Sequence, residues 1–302
     1  MNKYNYDIFK INIDEELKAK LNKTLIINTK TEAINYIRTN NIITSTMTIY
    51  GSLGTKINCP NVAYYISMHE NSIVCVNAAP VGMRGFRCLD VFKIKKKQTK
   101  KKDVFYNQVP LYIQPDPVAG VKHNPINIKL FQNGTVHLTG CQHMCSVYNV
   151  LGKLINELKN PKEKLISTGE YEEIHFVDKV SELKLSDLYV ALINTTFYVD
   201  YLIGRDKLYY LLCMNNIICK NNQGHASIDI KYYYEPDNLK ISIFVFKSCV
   251  IITGAKHMNH IIATYDYITK ILKHYHTEIS LPIVSFKKVK SIVQKKYPHV
   301  NL

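Results

Sequence analysis

Three groups of residues in this chain of 302 amino acids have types and spacing that could do chemistry. Cys141, His143 and Cys145, with His137 just upstream, put thiols and imidazoles close together, and those are zinc ligands. A lysine run at positions 93–102 (KIKKKQTKKK) could neutralise phosphates. The third group is a Thr-Gly pair followed by His-Met, at Thr139, Gly140, His143 and Met144, and again at Thr253, Gly254, His257 and Met258.

Zinc chemistry is poorly supported. No Cys-x-x-Cys pair occurs, and the second Thr-Gly block has Ala255 and Asn259 where the first has Cys141 and Cys145. We therefore expect no metal and no other cofactor. His143 and His257 each follow a Thr-Gly at the start of a helix, which suits a structural role. Phosphate-cradling loops, Ser/His/Asp arrangements and paired carboxylates are not recognisable, so the chain is not expected to be an enzyme.

The elements that must position these residues follow from the repeat. Residues 126–159 align on residues 240–273 without a gap, Thr139 on Thr253 and Met144 on Met258. Each copy reads as two short strands, a tight turn and a helix. In the first, Asn133-Gly134 is a hairpin signal. Val147, Val150, Leu151, Leu154, Ile155 and Leu158 then recur at the spacing of one buried helical stripe, as do Ile261, Ile262, Tyr265, Ile268 and Leu272. Gly140 and Gly254 suit an unusual backbone angle where strand yields to helix.

Alternation separates two faces. Ile128, Leu130, Val136 and Leu138 are expected under the first helix, with Lys129, Phe131, His137 and Thr139 pointing away. The gapless alignment puts Ile243, Val245, Ile251 and Thr253 on the outward face of the second copy, and Phe244 and Phe246 towards its core. An outward face this apolar is covered by another part of the chain or meets a ligand. A DNA minor groove accepts apolar contacts and offers few hydrogen bonds.

The bulk composition agrees with a polyanionic partner. The formal net charge is +15 and 46% of residues are hydrophobic, so the chain can build a core and carries a surplus of cations. Its 8 cysteines form no framework, which suits free thiols in a reducing intracellular setting. The first ten residues do not read as a signal peptide, no apolar run is long enough to span a bilayer, and no membrane role is expected.

Residues 131–140 (FQNGTVHLTG) and 245–256 (VFKSCVIITGAK) resemble the paired F-x-S-G-K-x-V-x-T-G-A-K signature of TATA-binding proteins. Residues 53–63 (LGTKINCPNVA) are similar to that family's L-G-C-K-L-D-L-x-x-I-A, and residues 198–208 are a looser second copy. Together with the basic insertion, these blocks resemble the divergent TATA-binding-protein-like factors of large (giant) DNA viruses. Such a source suits a composition rich in Lys, Asn, Ile and Tyr. Tyr234-Glu235-Pro236 matches the family's Y-E-P, but leaves no apparent room for a following strand and reads as coincidence.

The resemblance implies an α+β fold: a pseudo-twofold saddle with a curved antiparallel sheet and helices on its convex face. It also implies that Phe131 wedges into a base step and that Thr139 and Thr253 lie at the groove floor. His137, Ile251, Val245, Ile243 and Lys129 would share the concave face. Phe86 is a further candidate wedge, in a loop at 79–86, whereas the matching loop at 220–225 has no phenylalanine. The family's first-strand asparagine falls on Thr46, with Thr48 on the same face. In the second repeat, strict counting from Asp200 gives Leu188, and Asn194 needs a shift. Lys95, Lys96, Lys97, Lys100, Lys101 and Lys102 would contact phosphates or serve as a nuclear-localisation patch.

The expected organisation is an N-terminal extension at 1–40, in which Asp14 caps a short helix, and a first repeat at 41–160. That repeat carries a basic insertion near 93–125, whose Pro110, Pro115, Pro117 and Pro125 mark an irregular connector. A linker at 161–184, a second repeat at 185–276 and a basic tail helix at 277–302 complete the chain. The implied function is transcription initiation. A monomeric factor would bind A/T-rich double-stranded promoter DNA through the minor groove and recruit viral-type RNA polymerase through its subunits or a general transcription factor. The rival is a protein-interaction scaffold that keeps the saddle but has lost specific DNA binding. A viral factor would act in the host cytoplasm, in a viral factory, be carried in the virion, or reach the nucleus.

Overall fold

A computed structural model describes residues 14–78, 81–86, 107–117, 124–221 and 226–282. Lys95, Lys96, Lys97, Lys100, Lys101 and Lys102, together with most of the tail at 277–302, lie outside the described residues. The chain folds as two compact units, Thr44–Ile193 and Met1–Ile43 with Asn194–Leu302.

In the unit Thr44–Ile193, β1 (Ile43–Ser52) leads through a short joint into α3 (Cys59–Tyr65). There follow β2 (Ile73–Ala78), β3 (Gly82–Gly85), β4 (Gln108–Ile113), β5 (Ile126–Phe131), β6 (Thr135–Cys141) and α4 (Met144–Lys159). The strands lie in the order β1-β6-β5-β4-β2-β3, every pair antiparallel. Helix α4 buries Val147, Val150, Leu151, Leu154 and Leu158, the stripe anticipated from their spacing, against Ile128, Leu130, Val136 and Leu138. Burying these branched chains is the main source of stability.

The second unit repeats this order. Strand β9 (Ser186–Tyr198), which crosses from one unit to the other, and β10 (Leu202–Ile203) precede α5 (Arg205–Met214) and β11 (Cys219–Asn221). Then come β12 (Ile228–Tyr234), β13 (Leu239–Val245), β14 (Cys249–Ala255) and α6 (Met258–His274). The strand order is β11-β12-β13-β14-β9. This is a mixed α+β fold in which antiparallel sheet and helix succession occur twice. The N-terminal helices α1 (Glu15–Leu21) and α2 (Lys30–Thr39) belong to this unit. Asp14 caps α1 as anticipated, accepting from the Leu17 amide at 3.0 Å, and Leu17 enters the core around α5 and α6. The chain then ends its described part with α7 (His276–Ile279) and β15 (Ser280–Leu281), which pairs with β10.

Three local expectations change. Pro110, read as part of an irregular connector, lies within β4 opposite Lys129. The β2 pairing begins only at Leu111, so Pro110 needs no amide towards that neighbour, a position where a strand tolerates proline. The segment 161–184 contains a hairpin of β7 (Lys162–Leu165) and β8 (Tyr171–Ile174), and Phe176 and Val177 beyond it are buried. After Tyr234-Glu235-Pro236 a strand does fit. A single 3-10 turn, Glu235–Asp237, and Asn238 at φ 48 reverse the chain directly into β13.

Candidate nucleic-acid interface

Four backbone hydrogen bonds place the two halves in register. In the first, the Leu53 amide donates to Gly134 and the Ile57 amide to Gln132, both at 2.9 Å. In the second, Val199 donates to Ser248 at 3.1 Å and Ile203 to Lys247 at 2.7 Å. The strand–helix joint of each half thus docks on the tip of its own hairpin. Leu53 corresponds to Val199, Gln132 to Lys247 and Gly134 to Ser248. The second hairpin therefore lacks a counterpart of Asn133.

That single missing residue corrects the second half. A one-residue shift moves every side chain of a strand to its other face. Ile243 and Val245, expected outward, are 0% exposed and sit in the core with Ile241 and Ile252. Phe244, expected inward, pairs with Ile251 on the half-buried outer face. Phe246 takes the place of Phe131, just beyond the strand and partly exposed. The gapless alignment had therefore set Val245, in place of Phe246, on Phe131.

The Thr-Gly pair has a structural cause. Between Met47↔Cys141 and Ile49↔Leu138, β6 places Thr139 and Gly140 opposite Thr48 alone. This is a β-bulge, and Gly140 supplies the positive φ, 86°, that it needs. Gly254 has φ 99. Both threonines consequently stay on the outer face, half-buried. Thr253 donates its hydroxyl to Asn194 Oδ1. Carrying the joint register back along the first strands sets Asn194 on Thr48, neither Leu188 nor Thr46 occupying that place.

On the first half's outer face lie Thr46, Thr48, Tyr50, Lys129, Phe131, His137 and Thr139, as parity required, all intermediate in burial. Here the structure adds an aromatic stack. The His137 ring lies 4.4 Å from that of Tyr50 at 7°, and Tyr50 lies 5.7 Å from Tyr189 at 19°. Desolvation, with Lys129 as a second cause, holds the His137 pKa below its ordinary value of 6.5. The imidazole is neutral at pH 7 and acts as a flat, mostly apolar surface. Tyr189 is 58% exposed. Tyrosines at single alternate positions carry no periodic signal, and the stack was not anticipated.

On the second half's outer face Lys231 Nζ lies 2.7 Å from Asp229, 2.7 Å from Ser242 Oγ and 5.7 Å from the centre of the Phe244 ring. Lys129 of the first half corresponds to Phe244, so the two faces differ in where they carry charge. Phe86, at the end of β3, is 43% exposed. The nearby Arg84 turns the other way, donating to the carbonyls of Ala63 (2.6 Å), Ile66 (3.0 Å) and Val62 (3.3 Å). It caps α3.

The thiol–imidazole group separates in space. Cys141 is fully buried, and burial pushes its thiol up to about 12, whereas Cys145 is exposed. Among the described residues a different trio comes together, Asp237, His257 and His260. Asp237 Oδ2 lies 2.9 Å from His257 Nε2 and 2.6 Å from His260 Nε2. His260 Nδ1 accepts from the Lys256 amide at 3.1 Å. In the neutral ring that bond leaves the proton on Nε2, facing Asp237, where a metal would need a lone pair. The trio ties the start of α6 to the turn between β12 and β13, a structural task for the repeated histidine.

No family model matches the sequence. A curated relative, the TATA-box-binding protein-like protein of Acanthamoeba polyphaga mimivirus, is 33% identical over 309 aligned positions, covering 96% of this chain and 80% of the relative. Among solved structures, Methanococcus jannaschii TBP covers 77% of this chain and 98% of its own, with a TM-score of 0.45 and 14% identity.

Proposed function

The chain belongs to the TATA-box-binding protein-like family, in the divergent form found in giant DNA viruses, and from that premise we propose that it binds A/T-rich promoter DNA through the minor groove. One observation carries this reading: each half presents the same outward set, a threonine followed by a glycine of positive φ and a phenylalanine at the hairpin tip. These are Thr139 with Phe131, and Thr253 with Phe246. The threonines are small and offer a methyl beside a hydroxyl, which suits a groove floor without the guanine amino group. Phenylalanines at the hairpin tips suit insertion between base steps, which kinks the duplex where stacking is weakest. The net charge of +15 supplies salt-dependent attraction to phosphates.

The factor then recruits viral-type RNA polymerase, through its subunits or a general transcription factor, from the faces of the helices. Tyr148 on α4 and Tyr210 on α5 are exposed there, as anchors of a protein interface are. It acts as a monomer, without enzymatic activity, inside the infected cell; exposed Cys145 and Cys213 are free thiols, which suits reducing surroundings. Competition by a minor-groove-binding drug tests the mode of binding. Displacement of the protein from A/T-rich duplex supports the reading. Retention under saturating drug would leave the scaffold reading in its place.

A further inference from the structure

The turn from α5 into β11 brings two thiols together. Cys213, in the last turn of α5, is exposed, and Cys219, the first residue of β11, is half-buried. Their sulfur atoms are 3.9 Å apart, and the two residues are six apart in sequence numbering. The turn has a fixed form: Ile217 donates to the Leu212 carbonyl at 3.0 Å and Lys231 to Ile218 at 2.9 Å, with Asn216 at φ 56. The turn thus holds the two residues that carry the sulfurs close together.

We propose that Cys213 and Cys219 are a reversible dithiol–disulfide site, oxidised by a low-molecular-weight disulfide such as oxidised glutathione. A disulfide needs the sulfurs at about 2.05 Å, a closure that side-chain rotation supplies from van der Waals contact. The order of events follows from exposure. Cys213 loses its proton to solvent, and the thiolate attacks one sulfur of the small disulfide, breaking its S–S bond and releasing one thiolate. Cys219 then loses its proton and attacks Cys213 Sγ, expelling the second thiolate. Two protein thiols give up two electrons and two protons, and the small disulfide becomes two thiols. Cys219 is unsuited to the first attack, because burial and the neighbouring Cys213 push its thiol up to about 12. It becomes competent once its target sulfur is held beside it.

The bond would act on an edge. Strand β11 ends the sheet of its unit and is held by pairing to β12 alone, Cys219 opposite Ile230 and Asn221 opposite Ile228. A covalent link from its first residue to α5 would fix this edge strand to the helix.

Peptide mapping of the full chain after incubation with oxidised glutathione tests this. The expected product is a Cys213–Cys219 linked pair that dithiothreitol reverses, while exposed Cys145 carries glutathione. In Cys219→Ser, Cys213 should instead keep its glutathione. Phenylarsine oxide, which bridges adjacent thiols, should protect both cysteines of the unsubstituted chain from alkylation, an outcome that needs no variant to fold. A stable glutathione adduct on Cys213 of the unsubstituted chain, a bond between two chains, or independent alkylation of both cysteines under the arsenical would each overturn the proposal.

Discussion

Thr253 donates its hydroxyl to Asn194 across the outer face of the second half, whereas the first half sets Thr139 beside Thr48. The two halves thus offer different hydrogen-bonding groups at equivalent places. An asparagine amide can give a proton to a groove acceptor while its oxygen stays occupied by Thr253.

Asn194→Ala should therefore weaken binding to A/T-rich duplex more than Thr48→Ala does. Loss of one hydrogen bond of about 1 kcal/mol corresponds to roughly a fivefold change in affinity. Fluorescence titrations of both variants measure the difference, and equal losses would remove the asymmetry.

Phe246→Ala and Phe131→Ala should each reduce DNA bending, read by energy transfer between the ends of a labelled duplex, with little change in urea midpoint. Ile243→Ala should do the reverse. It opens a cavity in the core and costs about 2–5 kcal/mol, leaving bending by the folded fraction intact. Bending lost with Ile243→Ala but kept with Phe246→Ala would restore the gapless alignment.

Two glycines share nearly the same backbone angle, Gly134 at φ 87 and Gly140 at φ 86. A methyl group on Gly140 meets open space, but on Gly134 it is driven into the Thr55 carbonyl oxygen. Gly140→Ala should cost about 1–2 kcal/mol, the ordinary penalty of a left-handed residue. Gly134→Ala should cost clearly more in the same denaturation series.

Acid should destabilise the protein through its histidines. His137 and His260 both have pKa values lowered from 6.5, in each case chiefly by desolvation. The folded state binds these protons less readily than the unfolded state. Their stabilising contribution is thus complete above pH 6.5 and is lost as pH falls through the lower folded values. His137→Phe, which keeps a ring against Tyr50, should make the melting temperature fall less steeply as pH drops below about 6.5. An unchanged slope would assign the acid sensitivity elsewhere.

Much of this was legible in the residues. The stripes of α4 and α6, the Asp14 cap and the unusual backbone angles of Gly140 and Gly254 all follow from local patterns that periodicity and turn chemistry expose. The parity of β13 did not. Its sequence ends Ile243-Phe244-Val245-Phe246, apolar on both faces, so alternation cannot choose between them. Only the hairpin's length decides, and the missing counterpart of Asn133 leaves no trace in hydrophobicity. The stack of His137, Tyr50 and Tyr189 depends on strand pairing between distant segments, which spacing within one segment cannot report.

The most direct test of the central claim is a fluorescence-anisotropy titration of the full chain with A/T-rich and G/C-rich duplexes of equal length, at fixed salt. Tighter binding to the A/T-rich duplex is predicted, with the preference reduced when Thr139 and Thr253 are both replaced by bulkier residues. Equal affinity for the two duplexes, unchanged by those substitutions, would contradict it.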